Sequence, residues 1–504
     1  MSKIVSFTLG CLLLIPFLGV SQTSSNYTTI DSTDTPQEII RKAAQVVPSE
    51  RQLRWQKLEL TAFFHFGINT FTNKEWGEGN ENPEIFNPTN FDAEQWIISV
   101  KNGGFKQVIL TAKHHDGFCL WPTKTTTHSV AISPWRSGKG DVVKEVADAC
   151  HKHGIGFGVY LSPWDRNASC YGTDAYNDFF VNQLTELLTQ YGQVDEVWFD
   201  GACGEGPNGK KQVYDFMRWY ALIRKLQPQA VIAIMAPDIR WVGTETGMGR
   251  ETEWSVIPTS NLDLSAIASQ SQNNVIFKPK TDLMGNILGS REQLYAANGL
   301  VWYPAETDVS IRPGWFYHPE EDSKVKTAEE LMNIYLTSVG MNSVLLLNIP
   351  PNKEGLIAPE DVQSLQAFAQ LKNKIFSEKF PDKSTVVSCE NGVNIRAIAD
   401  QKYETYFTTN KGDTTTIIEF DSKGPRQFNL LMIQENIMVG QRIEHFVLEY
   451  FDSQKGWMPC AEGTTVGYKR IIKFPEVSAS GFRLKILSSR LEPTISEFGL
   501  YYWK

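Results

Sequence analysis

EVWFDG, Glu196 to Gly201, is the stretch on which the larger part of this chain turns. Glu196, Val197, Trp198 and Phe199 read as a short buried strand that ends on a lone carboxylate, Asp200. Glycine follows at once, as expected where the backbone must turn sharply and another group must approach closely. Parallel-barrel enzymes present catalytic groups in this way, at the carboxyl ends of strands. An aspartate in that place can equally cap the next helix or pair with a neighbouring lysine. The flanking sequence has to decide.

Working outward, similar apolar runs recur at LTAFFHFGI (60–68), QVILTAKHH (107–115), GFGVYLSP (156–163), AVIAIMAP (230–237), VWYPAE (301–306) and SVLLLNIP (343–350). Helical stripes fall between them. Asp92 and Gln95 make a capping-box-like start before Trp96, Ile97 and Val100, and Val142, Val143, Val146 and Cys150 form a second stripe. Phe180, Leu184, Leu187, Leu188 and Tyr191 make a third, and Val213, Phe216, Met217, Tyr220 and Ile223 a fourth. Strands alternating with helices, without hairpins between, imply parallel strands joined by crossovers. With one more strand around Trp254 to Ile257, the pattern predicts a (β/α)8 TIM-like barrel over residues 36–357. A doubly wound open sheet fits less well, because no Gly-rich phosphate loop follows the first strand. Residues 259–300 lack periodicity and are expected to be a long loop insertion. A helical linker is expected over 358–383. Residues 384–504 carry short β runs at tight spacing, among them TTIIEF, FNLLMIQE, HFVLEYF and FRLKIL, the pattern of a β-sandwich.

Composition narrows the class. The chain has 504 residues, 41% hydrophobic and 21% charged, with a net charge of −9. That acidity argues against nucleic acid or an anionic membrane surface as partner. Aromatics are abundant, at 14 Trp, 17 Tyr and 28 Phe; such rings stack on apolar sugar faces and also fill cores. Lys3 followed by the apolar run Ile4 to Val20 reads as a signal peptide (1–21) cleaved near Ser21, so the protein is expected to be exported, periplasmic or secreted. The run is short for a bilayer span, which needs about 20 apolar residues. Residues 22–35 are Ser/Thr/Asp-rich and are expected to be a flexible leader. Cys119, Cys150, Cys170, Cys203, Cys389 and Cys460 match no zinc spacing; a pair such as Cys170–Cys203 is permitted but not demanded.

If the barrel holds, its strand ends list the candidate chemistry. The first ends at His65 and the second at His114, His115 and Asp116. The third ends at Tyr160, Trp164 and Asp165, and the fourth at Asp200. Asp238, Arg240, Trp241 and Glu245 follow the fifth, and Glu306 and Asp308 come later. His65 between phenylalanines can be a core histidine, Trp241 and Trp302 can be core, and Asp165 with Arg166 can be a surface ion pair. A metal on His114 and His115 would require the strand to break there, because successive strand side chains point to opposite faces. No metal or cofactor is expected. Two carboxylates on an aromatic-lined barrel mouth suit glycoside hydrolysis, one attacking or activating water and the other donating a proton to the leaving oxygen. Asp200 is the natural nucleophile. Glu245, Glu251 and Glu253 are candidates for the acid.

FFHFGINTFTNKEWG (63–77), ILTAKHHDGFCLWPT (109–123), GVYLSPWDR (158–166), EVWFDGA (196–202), WYPAETDVSIRPGWFYH (302–318) and LLLNIPPNKEGLI (345–357) closely resemble, in order, the α-L-fucosidases of glycoside hydrolase family 29. The C-terminal part resembles the discoidin- or galactose-binding-like β-sandwich that follows the barrel there. The resemblance implies a retaining exo-hydrolase of terminal α-L-fucose without a metal, with Asp200 as nucleophile. By the same resemblance His65, Glu75, His114, His115 and Tyr160 hydrogen-bond the fucose hydroxyls, Trp76 lies nearby, and Trp315 packs near the C6 methyl. PDIRWVGTETG (237–247) resembles the subgroup acting on α1,3- and α1,4-linked fucose of Lewis-type branched glycans, where WVGNE is usual. Thr244 replaces that asparagine and Glu245 stays in place as acid/base, with Glu251 as the alternative. The expected partner is a fucosylated oligosaccharide or glycoconjugate. A broad-specificity α-L-fucosidase, a non-catalytic fucose-binding protein and a metal-dependent hydrolase using His114 and His115 are the competing readings.

Overall fold

The structure is a computed structural model and describes residues 25–259, 285–382 and 385–504; the expected signal peptide lies outside the described residues. Eight parallel strands form the barrel: β1 (Leu60–Phe64), β2 (Gln107–Lys113), β3 (Gly156–Leu161), β4 (Glu196–Phe199), β5 (Val231–Ile234), β6 (Arg240–Trp241), β7 (Ala305–Ser310) and β8 (Ser343–Asn348). Their order is β5-β4-β3-β2-β1-β8-β7-β6. A parallel bridge from Ala233 to Ile239 closes the ring between its two ends.

Period-two alternation explains why these runs are apolar throughout. Phe63, Ile109, Tyr160, Trp198, Val231, Val344 and Leu346 fill the barrel interior above Trp55. Their neighbours Ala62, Phe64, Val108, Leu110, Val159, Val197, Phe199, Leu345 and Leu347 pack outward against the helices.

The helices follow the predicted stripes. Ala93–Asn102 is capped by Asp92, whose Oδ1 accepts from the Gln95 N–H at 3.0 Å. The capping box is only half formed. Gln95 instead turns away and bonds both the N–H and the carbonyl of Ile357, at 2.9 and 3.0 Å.

The sequence pattern misplaces four segments. Trp254 to Ile257 supplies no barrel strand; Val256–Thr259 joins a separate antiparallel sheet with Gly299–Trp302 and Tyr27–Thr29. The eighth barrel position is taken instead by the two-residue β6. VWYPAE splits at Pro304, which has no N–H to give to a ladder, so that its first half belongs to the small sheet and its second half opens β7. The expected flexible leader is partly ordered, because Tyr27–Thr29 pairs with residues 299–301. The expected linker contains the helix Pro359–Phe376, which packs on Ala328–Thr337 and Ala93–Asn102 as the last helix of the barrel. The insertion over 259–300 falls largely outside the described residues, and its described end carries the helix Arg291–Tyr295.

The C-terminal strands make one antiparallel sheet folded over its own core of Phe420, Phe428, Phe482 and Phe498, with the Phe420 and Phe498 rings stacked at 4.4 Å. Its long strands Thr416–Glu435 and Arg470–Ser489 show a register break between Asp421 and Arg426. Before the break burial alternates, as in a sheet with one wet face; from Phe428 to Glu435 every residue is buried. Leu430 and Met432 face the barrel core, whereas Leu431 and Ile433 face the sandwich core. The two domains therefore share a sheet face. Among the described residues no helix is long and apolar enough to cross a membrane, and the cysteines are free thiols.

Candidate active site

At the carboxyl ends of the barrel strands lies a cavity lined by Phe63, His65, Glu75, Trp76, His114, His115, Trp198, Asp200, Ala202, Glu245, Asp308 and Trp315. Asp200 reaches it because Glu196, Trp198 and Asp200 share the inward phase of β4. Its Oδ1 accepts from the Ala202 N–H at 2.6 Å and its Oδ2 from the Tyr160 hydroxyl at 3.0 Å. Helix capping falls elsewhere, to Asp215, which caps Phe216–Leu226. Gly201 is not needed for a left-handed turn, and a Cβ there would make only ordinary contact with Met235 Sδ at 3.5 Å. The glycine expectation therefore fails while the strand-end expectation stands.

The strand carrying the paired histidines breaks where they begin. β2 ends at Lys113 after a register shift at Thr111, so His114 and His115 both escape the pleat and both rings reach the cavity, 4.1 Å apart. His115 Nδ1 pairs with Ser162 Oγ at 2.7 Å, and its Nε2 lies 3.9 Å from Asp200 Oδ2. His65 Nδ1 pairs with Asn348 Oδ1 at 2.9 Å. Burial holds His65 down at about 4, well below an ordinary imidazole. Burial also holds His114 well below an ordinary imidazole, with the neighbouring His115 and His65 adding to the effect. His115 is lowered by burial against the opposing pull of Asp200. Neutral imidazoles can both donate to and accept from sugar hydroxyls. Tyr160 stays a phenol, its ionisation pushed up by burial and by Asp200.

Glu75 lines the cavity but is already engaged. It accepts from the Trp315 and Phe316 N–H groups at 2.8 and 3.2 Å, and His318 Nε2 lies 2.6 Å from Oε1. It therefore holds the Trp315 loop as well as facing the cavity. Trp315 packs on His65 with ring centroids 5.2 Å apart, and Trp76 stands edge-on to His115 at 5.3 Å with about half its surface exposed.

The candidate acids separate cleanly. Glu245 is exposed and lines the cavity. Glu251 does not line it, and its carbonyl is fixed to Arg470 on the sandwich at 2.8 Å. Glu253 is buried in an ion pair with Arg240 and Arg250. Asp165 is no surface partner of Arg166; it is buried and paired with Lys113 Nζ at 2.8 Å. Trp302 is core, whereas Trp241 donates its indole N–H to Asp308 Oδ1 at 2.8 Å. Asn348 and Ser162, which set the two imidazoles, are not among the residues the sequence singles out. Both sit at or just beyond strand ends, so the rule that finds Asp200 reaches them too.

Protonation of His65 gives a stability test. The unfolded chain takes up this proton near pH 6.5 and the folded chain only near 4, so His65 withdraws stability as pH falls through that window, by up to about 3 kcal/mol. The unfolding free energy of His65→Gln relative to the parent should rise by that amount between pH 7 and pH 4, read by denaturant titration. Parallel pH curves would show that His65 titrates alike in both states.

An aromatic-walled cavity holding carboxylates at barrel strand ends is the site of a glycosidase. The family model for alpha-L-fucosidase matches residues 43–374, and the chain belongs to that family. The chain is 43% identical over 469 residues to alpha-L-fucosidase 1 of Arabidopsis thaliana, covering 90% of this chain and 87% of that protein. A structure from Bacteroides ovatus superposes with a TM-score of 0.84 at 49% identity, over 95% of this chain and 78% of that one. A Ruminococcus gnavus GH29 fucosidase in complex with fucose gives 0.79 at 32% identity, over 91% and 95%.

Proposed function

We propose that this α-L-fucosidase is an exported, retaining exo-hydrolase of α1,3- or α1,4-linked fucose on Lewis-type branched glycans. The observation that carries the mechanism is that Asp200 and Glu245 line one cavity from different barrel elements. In the first step the Asp200 carboxylate attacks the anomeric carbon. The glycosidic C–O bond breaks, and Glu245 gives its proton to the departing oxygen. In the second, Glu245 takes a proton from water, whose oxygen displaces Asp200 and releases fucose with its original configuration. His65, His114, His115 and Glu75 bind the hydroxyls, and Trp76 and Trp315 supply apolar walls; Tyr160, expected by the resemblance to bind a hydroxyl too, lies buried beneath the cavity and donates its own hydroxyl to Asp200. The linkage assignment rests on the Trp241–Gly247 phrase. There Thr244 Oγ1 bonds Thr246 Oγ1 at 3.0 Å, so the residue replacing the usual asparagine serves the turn itself.

A panel of α1,2-, α1,3-, α1,4- and α1,6-fucosides, with and without a galactose branch, tests this. Fastest release is expected from the branched α1,3 and α1,4 members. Proton NMR of the first product should show α-fucose. Preference for α1,2 or α1,6 linkages would overturn the linkage assignment, and initial β-fucose would overturn retention.

A further inference from the structure

We propose that Asp308 is the positioning residue of the acid/base turn: its side chain and backbone fix the Trp241–Gly247 segment so that Glu245 stands over the cavity. The inference rests on the assignment of Glu245 above. Asp308 lies on β7 in the same inward phase as Glu306, is only 5% exposed, and lines the cavity with Asp200 and Glu245. Its Oδ1 accepts the Trp241 indole N–H at 2.8 Å. The backbone of β7 then holds both ends of the following turn. The Val242 N–H donates to the Glu306 carbonyl at 2.9 Å, and the Gly247 N–H to the Asp308 carbonyl at 3.2 Å. Gly247 is pinned from the other side by Thr337, whose hydroxyl donates to its carbonyl at 2.9 Å. It adopts a φ of +74°, and a Cβ there would come within 3.1 Å of both Ile334 and Val309. Residues 243–246 are thus a short span between anchored ends, with Glu245 inside it.

The side-chain bond is what makes Asp308 more than a strand residue. A buried carboxyl is costly unless it is bonded or kept neutral. Here burial, opposed by the Trp241 bond and reinforced by Glu245 and Asp200, pushes it up to about 7. An apolar residue would be the cheaper choice if packing were the only demand. A carboxyl beside Trp241 instead fixes the indole that begins the turn.

A residue acting through the general acid should matter only where an acid is needed. For Asp308→Ala, kcat/KM on a Lewis-type trisaccharide is expected to fall by roughly 30- to 100-fold, the scale of a small misplacement of a catalytic group. On 2,4-dinitrophenyl α-fucoside, whose leaving group needs no proton, kcat/KM should change by less than about threefold. Asp308→Asn keeps an acceptor for Trp241 and should restore the trisaccharide rate to within about threefold. Trp241→Phe, which removes the indole donor while keeping an aromatic ring, should reproduce the selective loss at about five- to tenfold. If Asp308→Ala lowers both substrates equally, the residue contacts fucose or merely supports the fold, and the proposal fails; it fails also if neither substrate changes. Should Asp308→Ala not fold, Trp241→Phe decides by the same comparison of the two substrates: a selective loss supports the positioning role, and an equal loss or none removes it. Glu245→Ala separates the two layers of inference. If it shows no substrate split, the acid is misassigned. If it does and the Asp308 and Trp241 variants do not, only the positioning role is lost.

Discussion

Asp200→Ala is expected to abolish fucose release from aryl fucosides and natural glycans alike, by on the order of 10⁴- to 10⁶-fold, the scale of removing a covalent nucleophile. The loss does not depend on the leaving group, because no fucosyl–enzyme forms with any substrate. Folding should be little affected. The carboxylate is about one quarter exposed, and its bonds are to the Ala202 N–H and the Tyr160 hydroxyl rather than to a buried cation. A calorimetric Tm close to the parent's, together with lost turnover, distinguishes chemistry from unfolding. Azide adds a stereochemical check. Entering the space vacated by the side chain, it should attack an activated α-fucoside from the nucleophile's side and give β-fucosyl azide. More than about a tenth of parental activity would remove Asp200 from the role of nucleophile.

How much of the fold is legible in the sequence follows from what each element buries. Barrel strands are covered on both faces, so LTAFF, QVILTAK and SVLLLN announce themselves as unbroken apolar runs. β6 cannot announce itself, because two residues carry no period. Val256–Thr259 and Gly299–Trp302 are just as buried as barrel strands, and composition alone does not say which sheet a buried strand joins. The helix Pro359–Phe376 reads as a linker because its partners, Ala328–Thr337 and Ala93–Asn102, are distant in sequence.

The site divides in the same way. Asp200, His65, His114, His115 and Tyr160 are legible because a strand end fixes where a side chain points. Glu75 and Trp315 lie on loops, and their meeting depends on the bonds from the Trp315 and Phe316 N–H groups to Glu75, a pairing between residues far apart in the chain. The family resemblance supplies both residues. Only the structure shows that one holds the loop of the other. Glu306 reads as a strand-end carboxylate but accepts from Trp198 Nε1 at 2.7 Å inside the barrel, where burial and nearby Glu196 push its ionisation up. Its place two residues short of Asp308 on the same inward face puts it beneath the cavity rather than in it.

Glu245→Ala should divide substrates by the basicity of what leaves. A sugar alkoxide departs only with a proton, so release from a Lewis-type trisaccharide is expected to fall by about 10²- to 10⁴-fold. Dinitrophenolate departs without one, so fucosylation by the activated substrate should continue near the parental kcat/KM. Steady-state kcat on that substrate should nevertheless drop, because water must attack the fucosyl–enzyme without a base. Azide needs no deprotonation. It should restore turnover and, entering from the face that water would use, give α-fucosyl azide, the opposite anomer to that expected from Asp200→Ala. The two variants thus predict different products from the same reagents, which ties each residue to one face of the sugar. Full activity of Glu245→Ala on the trisaccharide would remove it from the mechanism. Glu251 could inherit the role only if its turn left the sandwich contacts through Arg470 and Thr464 that now hold its backbone.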